Sequence, residues 1–324
     1  MILDAQKNCK KLIMNSFTHS IMFHHFYDDH IHPKGQGAIS SEQFQLIIDY
    51  LKNKYNLLKA TDYKEKFLNS KLDDCDICLS FDDALKCQYD IALPVLKTNK
   101  LNAFFFVYTS PITGNPDFLE VYRYFRTVEY DDIEDFYLEF FSMFKKRDKK
   151  IFLNSRKQFE QSNFLSEFKF YSESDKFFRF LRDNILSKQD YHIIMSELFK
   201  RKSFDFKSVL STLWMTSDEI KNLTQSGNIL GLHSHNHPTQ MHKLSKNEQV
   251  NEYKTNLKYL KDLSDKEIVS MSHPCGNYNN DTLDLLSSMG ITIGFRSNSS
   301  VKKIKSSLEI PREDHSNILK EIYS

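Results

Sequence analysis

Short apolar runs alternate with amphipathic helical patterns in two stretches of this chain, one before residue 109 and one after residue 215. Strand–helix alternation at this spacing is typical of parallel βαβ units. About seven such strands can close into a barrel, whose chemistry then lies at the C-terminal ends of the strands. The predicted fold class is therefore an α/β barrel, with strands over residues 21–26, 77–81, 103–108, 229–232, 268–271, 291–295 and 308–312.

Other local signals predict where the helices begin and what interrupts the barrel. Ser40-x-x-Gln43, Thr216-x-x-Glu219 and Ser245-x-x-Glu248 have the pattern of capping boxes. Residues 109–215 break the alternation with Phe and Tyr at helical spacing. We interpret them as a helical insertion within a single domain of residues 1–324, and their aromatic stripe as helix core rather than a ligand platform.

Charge and hydropathy exclude several classes of protein. Lys and Arg number 44 against 43 Asp and Glu, so the net charge of +1 gives no global attraction to nucleic acid or anionic membranes. No apolar run is long enough for a membrane span, and residues 1–20 read as a polar helical lead-in without a signal-peptide core. The five cysteines show no framework of spacings, so reduced thiols and a cytoplasmic location are expected.

Two adjacent carboxylates, Asp82 and Asp83, follow the apolar run 77–81. Neighbouring carboxylates at a strand end repel each other unless a positive charge lies beside them, and a metal ion commonly supplies it. Taken alone, the pair also fits a helix N-cap, since a helical pattern begins near Leu85. The C-terminal half of the chain favours the metal-binding interpretation.

Three histidines lie within five residues directly after the predicted strand 229–232. Pro238 disfavours helical geometry at His237, so His233 and His237 are expected in a turn. Two imidazoles and one carboxylate are a standard ligand set for a divalent metal that keeps positions open for water and substrate. Together with the Asp pair they predict a metal site.

These segments resemble a known family. Ser80-Phe-Asp-Asp83 and His233-Ser-x-x-His237-Pro, in this order, resemble the first two motifs of polysaccharide deacetylases, the NodB-homology enzymes of carbohydrate esterase family 4. Ser272-His-Pro-Cys-Gly276 looks like the third motif. Met22-Phe-His24 looks like the Met-Tyr-His start of the branch that includes poly-N-acetylglucosamine deacetylases. The resemblance covers about residues 21–103 and 217–312.

The resemblance implies a distorted (β/α)7 barrel and metal-dependent hydrolysis of an N-acetyl group on a sugar. Asp83, His233 and His237 would hold the metal, usually Zn²⁺, and Asp82 would be the general base that deprotonates water at the metal. The backbone amide of Cys275 would stabilise the oxyanion. The departing amine would be protonated by His24, with three alternative acids in His25, His273 and His315.

The chain also departs from the family pattern. Ala84 stands where Gly is common, Ser272 stands where many members have an Arg that orients the base, and no Asp-x-x-Asp-Trp motif occurs. We expect Arg312 to supply the missing positive partner of Asp82, and we place it with Cys275 among the substrate-side residues. A plain surface ion pair is the alternative for Arg312.

The leading hypothesis is a cytoplasmic zinc-dependent deacetylase acting on an N-acylated sugar, in a nucleotide- or lipid-linked precursor of a surface polysaccharide. One alternative is a catalytically silent barrel that binds glycan or a partner protein, since the Arg and Trp motifs are missing. The other is a metal-dependent glycosyltransferase in which Asp82 and Asp83 hold a nucleotide diphosphate through the metal. That class has no need for His233 and His237.

Overall fold

The computed structural model describes residues 19–166, 171–299 and 305–324. The chain divides into two compact units, one formed by residues Met1–Asp117 and Ser211–Ser324 and the other by Phe118–Leu210. Except for His19 and Ser20, which lie in a strand, the helical lead-in predicted for residues 1–20 lies outside the described residues.

The first unit contains a parallel sheet. The strand order is β7-β6-β5-β4-β3-β1-β8, with β2 paired to β3 beside this path, and each pairing is parallel. The strands are β1 (His19–Phe23), β2 (Asn56–Leu57), β3 (Asp76–Asp82), β4 (Phe104–Val107), β5 (Ile229–Leu232), β6 (Ser270–Ser272), β7 (Ile293–Phe295) and β8 (Arg312–Asp314).

The two ends of the strand path meet next to β8. Phe295 of β7 forms a parallel bridge with Ile310, whose amide donates to the Gly294 carbonyl at 2.9 Å. The seven strands of the path thus nearly close into a barrel, which confirms the predicted fold class. The last predicted strand was placed a few residues early, because the apolar run before Pro311 precedes the strand that pairs with β1.

Helices surround the sheet and fill the second unit. The capping boxes predicted at Ser40, Thr216 and Ser245 are all present. The helices are α1 (Ser41–Lys54), α2 (Ala60–Leu68), α3 (Leu93–Thr98), α4 (Phe118–Glu129), α5 (Ile133–Arg147), α6 (Lys149–Glu160), α7 (Glu173–Phe180), α8 (Lys188–Lys202), α9 (Phe206–Leu213), α10 (Ser217–Gln225), α11 (Lys246–Leu263), α12 (Asn280–Ser288) and α13 (His315–Tyr323).

Aromatic side chains pack the barrel core. Phe81 of β3 stacks on Phe105 of β4 with ring centroids 4.7 Å apart, and Phe104 lies 5.1 Å from Phe295 of β7. β5 must pass close to these rings, since a Cβ at Gly231 would lie only 2.6 Å from the ring of Phe106. The barrel therefore depends on large side chains from β3 and β4 and a glycine opposite them.

The second unit is helical and has its own aromatic core. On α5, Phe136, Tyr137, Phe140 and Phe144 are buried, as the helix-core interpretation of the stripe predicts, whereas Ile133 is 38% exposed. Its bounds, Phe118–Leu210, fall inside the predicted insertion of residues 109–215.

Two further predictions concern the membrane and the cysteines. Among the described residues, the structure has no helix that is long and apolar enough to span a membrane. Cys78, Cys87 and Cys275 are not disulfide-bonded, but Cys75 is, so the prediction of reduced thiols is wrong at Cys75.

Candidate active site

Apart from Arg312, which begins β8, the predicted site residues come from segments at the C-terminal ends of barrel strands. His24 directly follows β1, Asp82 ends β3 and Asp83 follows it, and His233 directly follows β5. Parallel strands bring these ends to the same rim of a barrel. The chain thereby assembles residues that are up to about two hundred positions apart in sequence.

Asp83, His233 and His237 form a compact cluster. Asp83 Oδ1 lies 3.3 Å from Nε2 of His233 and 3.5 Å from Nε2 of His237. One ligand atom from each residue lies within 4.8 Å of the other two. His235, the histidine between them, is not part of the cluster, since its Nδ1 is 2.9 Å from Thr109 Oγ1.

The cluster depends on unusual backbone geometry. Asp83 has φ +79°, so it does not cap a helix, and His237 has φ +51°. Non-glycine residues seldom adopt this left-handed region, and such residues often occur at functional sites. Ser234, at φ +64°, accepts a hydrogen bond from the His237 amide at 3.1 Å and so closes the turn between the two histidines.

Helix α11 holds this turn from outside. Asn256 accepts a hydrogen bond from the His233 amide at 3.0 Å. One turn earlier on α11, Glu252 accepts from the amides of His235 at 3.0 Å and Asn236 at 2.7 Å. Two polar side chains four residues apart on one helix face thus fix the backbone that carries His233 and His237.

The donor set fits a divalent metal ion. Asp83 Oδ1 is buried and makes no hydrogen bond with any described residue, which is costly for a carboxylate unless a cation lies against it. His233 donates from Nδ1 to the Ser272 carbonyl at 2.9 Å, so its Nε2 presents a lone pair to the cluster. One carboxylate and two imidazoles leave coordination positions open, as in catalytic zinc sites.

The protonation states are compatible with metal binding. Burial lowers the pKa of His237 to about 4, so this imidazole is neutral at neutral pH. Burial also lowers the pKa of His233, but the nearby Asp82 and Asp83 outweigh that effect and raise it overall. A metal therefore competes with a proton at His233, and binding should weaken in acid.

Asp82 has a different environment from Asp83. Its side chain is 3% exposed, and Arg312 donates to both of its oxygens at 2.6 Å in a bidentate ion pair. Ser272 donates a third hydrogen bond at 3.2 Å. Burial raises the pKa of Asp82, but the Arg312 charge lowers it below its usual value overall, so the group is a carboxylate at neutral pH.

Arg312 is the largest fully buried side chain among the described residues. Its guanidinium also donates to Ser272 Oγ at 2.7 Å and to the Arg296 carbonyl. The expected contact with Asp82 is thus present, and the surface ion-pair alternative is wrong. The placement of Arg312 on the substrate side is also wrong, because a fully buried guanidinium cannot touch a substrate.

His24 faces the carboxylate pair. Its Nε2 lies 3.9 Å from Asp82 Oδ2 and 4.0 Å from Asp83 Oδ2, and its side chain is 30% exposed.

Of the alternative acids, His273 is fully buried with Nε2 2.9 Å from the Leu308 carbonyl. His315 is 5% exposed and stacks on Phe23. The ring of His25 stacks on that of His24, with centroids 6.3 Å apart.

Cys275 lies in the short helical turn Pro274–Gly276 that follows β6, with φ +52° and an exposed side chain. Its place at a strand end agrees with the predicted use of its backbone amide.

Sequence reasoning missed Glu252 and Asn256, and it missed Ser272 as the hydrogen-bond acceptor of Arg312. The helical spacing that places Asn256 on one face with Tyr253 and Leu260 was a signal, but only the fold shows which loop Asn256 meets.

Comparisons with known proteins agree with this geometry. The family profile of polysaccharide deacetylases matches residues 188–294, whereas no curated protein matches the chain. Among solved structures, the deacetylase PplD of Streptococcus pyogenes in complex with acetate is 16% identical, with 94% of this chain and 96% of that chain covered and a TM-score of 0.53. IcaB from Ammonifex degensii is 14% identical, with coverage of 92% and 91% and a TM-score of 0.53.

A de-N-acetylase from Aggregatibacter actinomycetemcomitans is 15% identical, with coverage of 94% and 98% and a TM-score of 0.53. Because the sequence identities are only 14–16%, the likeness to these solved structures shows a shared fold and not a shared function. The family match agrees with the predicted resemblance to polysaccharide deacetylases over residues 188–294, which include the His233 and Ser272 motifs.

Proposed function

We propose that this protein removes an N-acetyl or related N-acyl group from an amino sugar by metal-dependent hydrolysis. The observation that carries the proposal is the division of labour between two adjacent aspartates. Both oxygens of Asp82 are occupied by Arg312, whereas Asp83 Oδ1 is buried, unpaired and next to two imidazole nitrogens. One carboxylate is thus arranged as a base and the other as a ligand.

Asp83, His233 and His237 would hold the metal, and the ligand chemistry favours Zn²⁺. When bound, such an ion acidifies water and polarises an amide carbonyl. Fixed ligand geometry is needed for both effects, and α11 provides it through the backbone contacts of Glu252 and Asn256. The pair of histidines also argues against the glycosyltransferase alternative, which needs only carboxylates.

Asp82 accepts a proton from the attacking water while that water's oxygen bonds to the amide carbon. The bidentate pair with Arg312 keeps Asp82 ionised and fixes its orientation. The predicted oxyanion donor is the backbone amide of Cys275. These roles need no contact between Asp82 and the metal.

His24 completes the proton balance. As the carbon–nitrogen bond breaks, a protonated His24 gives its proton to the sugar nitrogen, and acetic acid and the free amine leave and ionise in solution to acetate and ammonium. Nε2 of His24 lies 3.9 Å from Asp82 Oδ2, so the proton held by Asp82 can return to His24 afterwards. The assignment rests on this geometry and on the Met22-Phe-His24 resemblance.

We place the substrate among N-acetylated glycans because the matching family profile is that of polysaccharide deacetylases and one structure of similar fold is a de-N-acetylase. A precursor of a surface polysaccharide, carried on a nucleotide or a lipid, is the substrate that we propose. The test is acetate release from N-acetylhexosamine oligomers and lipid-linked precursors, with chelator and then with added Zn²⁺. Release that is lost with chelator and restored by Zn²⁺ supports the proposal; a protein that neither binds metal nor releases acetate is the silent barrel.

A further inference from the structure

The tip of the α5–α6 helix pair carries a dense cluster of positive charge. Seven basic side chains and one acidic one lie between Lys145 and Lys157, whereas the whole chain has a net charge of only +1. We call residues 145–157 the basic hairpin. The balanced charge of the chain therefore conceals a strongly cationic surface.

The basic hairpin is not neutralised by the rest of the fold. Arg147 pairs with Asp190 and Arg156 with Glu160. The five lysines are exposed and form no ion pair with any described residue: Lys145, Lys146, Lys149, Lys150 and Lys157. Their charges are therefore available to bind an anionic partner.

Helix stability explains only part of this cluster. Lys145, Lys146 and Arg147 lie in the last turn of α5, where cations interact favourably with the helix dipole. Lys149 and Lys150 instead lie in the first turn of α6, where the dipole disfavours cations and where the N-cap carboxylate of Asp148 offsets only part of their charge. Five like charges around one turn also repel each other. This repulsion and the unfavourable helix-dipole interaction destabilise the folded chain, and an external anionic surface would relieve both.

Two exposed aliphatic side chains accompany the lysines. Leu153 is 44% exposed and lies away from the buried face of α6 formed by Ser155 and Phe159, whereas Ile151, 47% exposed, lies one turn before Ser155 on that other side. Leu153 lies between Lys149 and Lys157, four residues from each, so these three share one helix face. Basic and aliphatic side chains on one exposed face are typical of interfacial membrane contacts, whereas a soluble polyanion would make no use of the aliphatic ones.

We infer that the basic hairpin docks the protein peripherally on an anionic phospholipid bilayer. The lysines meet the lipid phosphates, and Leu153 enters the boundary between headgroups and acyl chains. No helix has to span the bilayer. The inference does not depend on the proposed reaction, because it rests on the surface of the second unit alone.

The test is co-sedimentation of the full chain with vesicles of phosphatidylcholine, with or without phosphatidylglycerol. We expect binding to the anionic vesicles only, and weaker binding as salt rises from about 0.1 M to about 1 M, where the Debye length falls from about 10 Å to about 3 Å. Replacing Lys145, Lys146, Lys149 and Lys150 by Gln should lower the partition coefficient by several hundredfold, at about fivefold for each lysine.

Matched variants separate a local surface from general charge. Changing four exposed lysines of α10 and α11 to Gln (Lys221, Lys254, Lys258 and Lys261) removes the same charge and should leave binding within about twofold, since every charge of the basic hairpin is kept. The Leu153→Ser variant also keeps every charge and should lose the binding that persists at high salt.

Circular dichroism and acetate release from a soluble substrate check that the hairpin variants are folded. Equal binding to both kinds of vesicle would overturn the inference. So would equal losses in the two lysine variants, or binding to a soluble polyanion such as heparin without binding to vesicles.

Discussion

The buried pair of Asp82 and Arg312 allows a quantitative prediction. Arg312→Met removes the charge at similar volume and deletes two hydrogen bonds of 2.6 Å to the carboxylate. Hydrogen bonds to charged groups contribute about 1.5–3 kcal/mol each. Breaking a buried pair costs about 3–5 kcal/mol. At 1.36 kcal/mol per unit, this cost corresponds to a rise of about 2–4 units in the pKa of Asp82.

The assay is the pH dependence of kcat/KM for acetate release. The Arg312 charge now holds the pKa of Asp82 below its usual value. A base works only when it is deprotonated, so activity is lost as pH falls through this pKa. Arg312→Met should therefore move the acid limb of the profile to higher pH by about 2–4 units. Arg312→Lys keeps a charge and should move it less, and it provides a folded variant if the Met variant is unstable.

A control shows whether any lost arginine has this effect. Arg123 forms an ion pair with Glu120 at 3.2 Å and is partly exposed, so Arg123→Met should cost at most about 1 kcal/mol of stability and leave the pH profile unchanged. If Arg312→Met lowered kcat/KM equally at all pH values, Arg312 would support the fold without tuning the base, and the reasoning above would be refuted.

Three further predictions concern residues around the site. Glu252→Ala should weaken Zn²⁺ binding by about 10–100-fold while Glu252→Gln stays near wild type, as measured by competition with a chromophoric chelator; equal affinities would contradict a positioning role. Burial lowers the pKa of His273 to about 3, so the unfolded chain takes up a proton that the folded one refuses, and stability should fall as pH drops from about 6.5 towards 3. Urea unfolding should show a loss of about 2 kcal/mol between pH 7 and pH 5 that His273→Gln removes, and an unchanged loss would exclude His273 as its source. Finally, Ser272→Arg should restore part of the activity of Arg312→Ser if the positive partner of the base can come from either strand; an inactive but folded double variant would show that it cannot.

The barrel was predictable because its signals are local. Parallel strands buried on both faces give continuous apolar runs, such as the run before Asp82, and capping boxes mark helix starts such as that after Ser245. Strand ends were less predictable. The pairing of Arg312 with β1 is set by a partner almost three hundred residues away, and hydropathy carries no information about it.

The residue types of the site were predictable from the sequence, but the neighbouring residues that hold them in place were not. Asp82, Asp83, His233 and His237 come from two short motifs, so their chemistry can be inferred before any fold is known. The bidentate contact of Arg312 needs Ser272 to be small enough to admit the guanidinium, and that depends on the spacing of β6, β3 and β8. Likewise, Glu252 reaches the histidine turn only because α11 packs against β5.

The central claim is that Asp83 binds a metal with two histidines while Asp82 stands beside it as the base. A crystal structure of the protein purified with Zn²⁺, with anomalous data at the zinc edge, tests this claim most directly. We predict one peak about 2.0–2.2 Å from Asp83 Oδ1 and from Nε2 of His233 and His237, with Asp82 still paired to Arg312. A peak bound by Asp82, or a fully occupied zinc elsewhere with this cluster empty, would contradict the account.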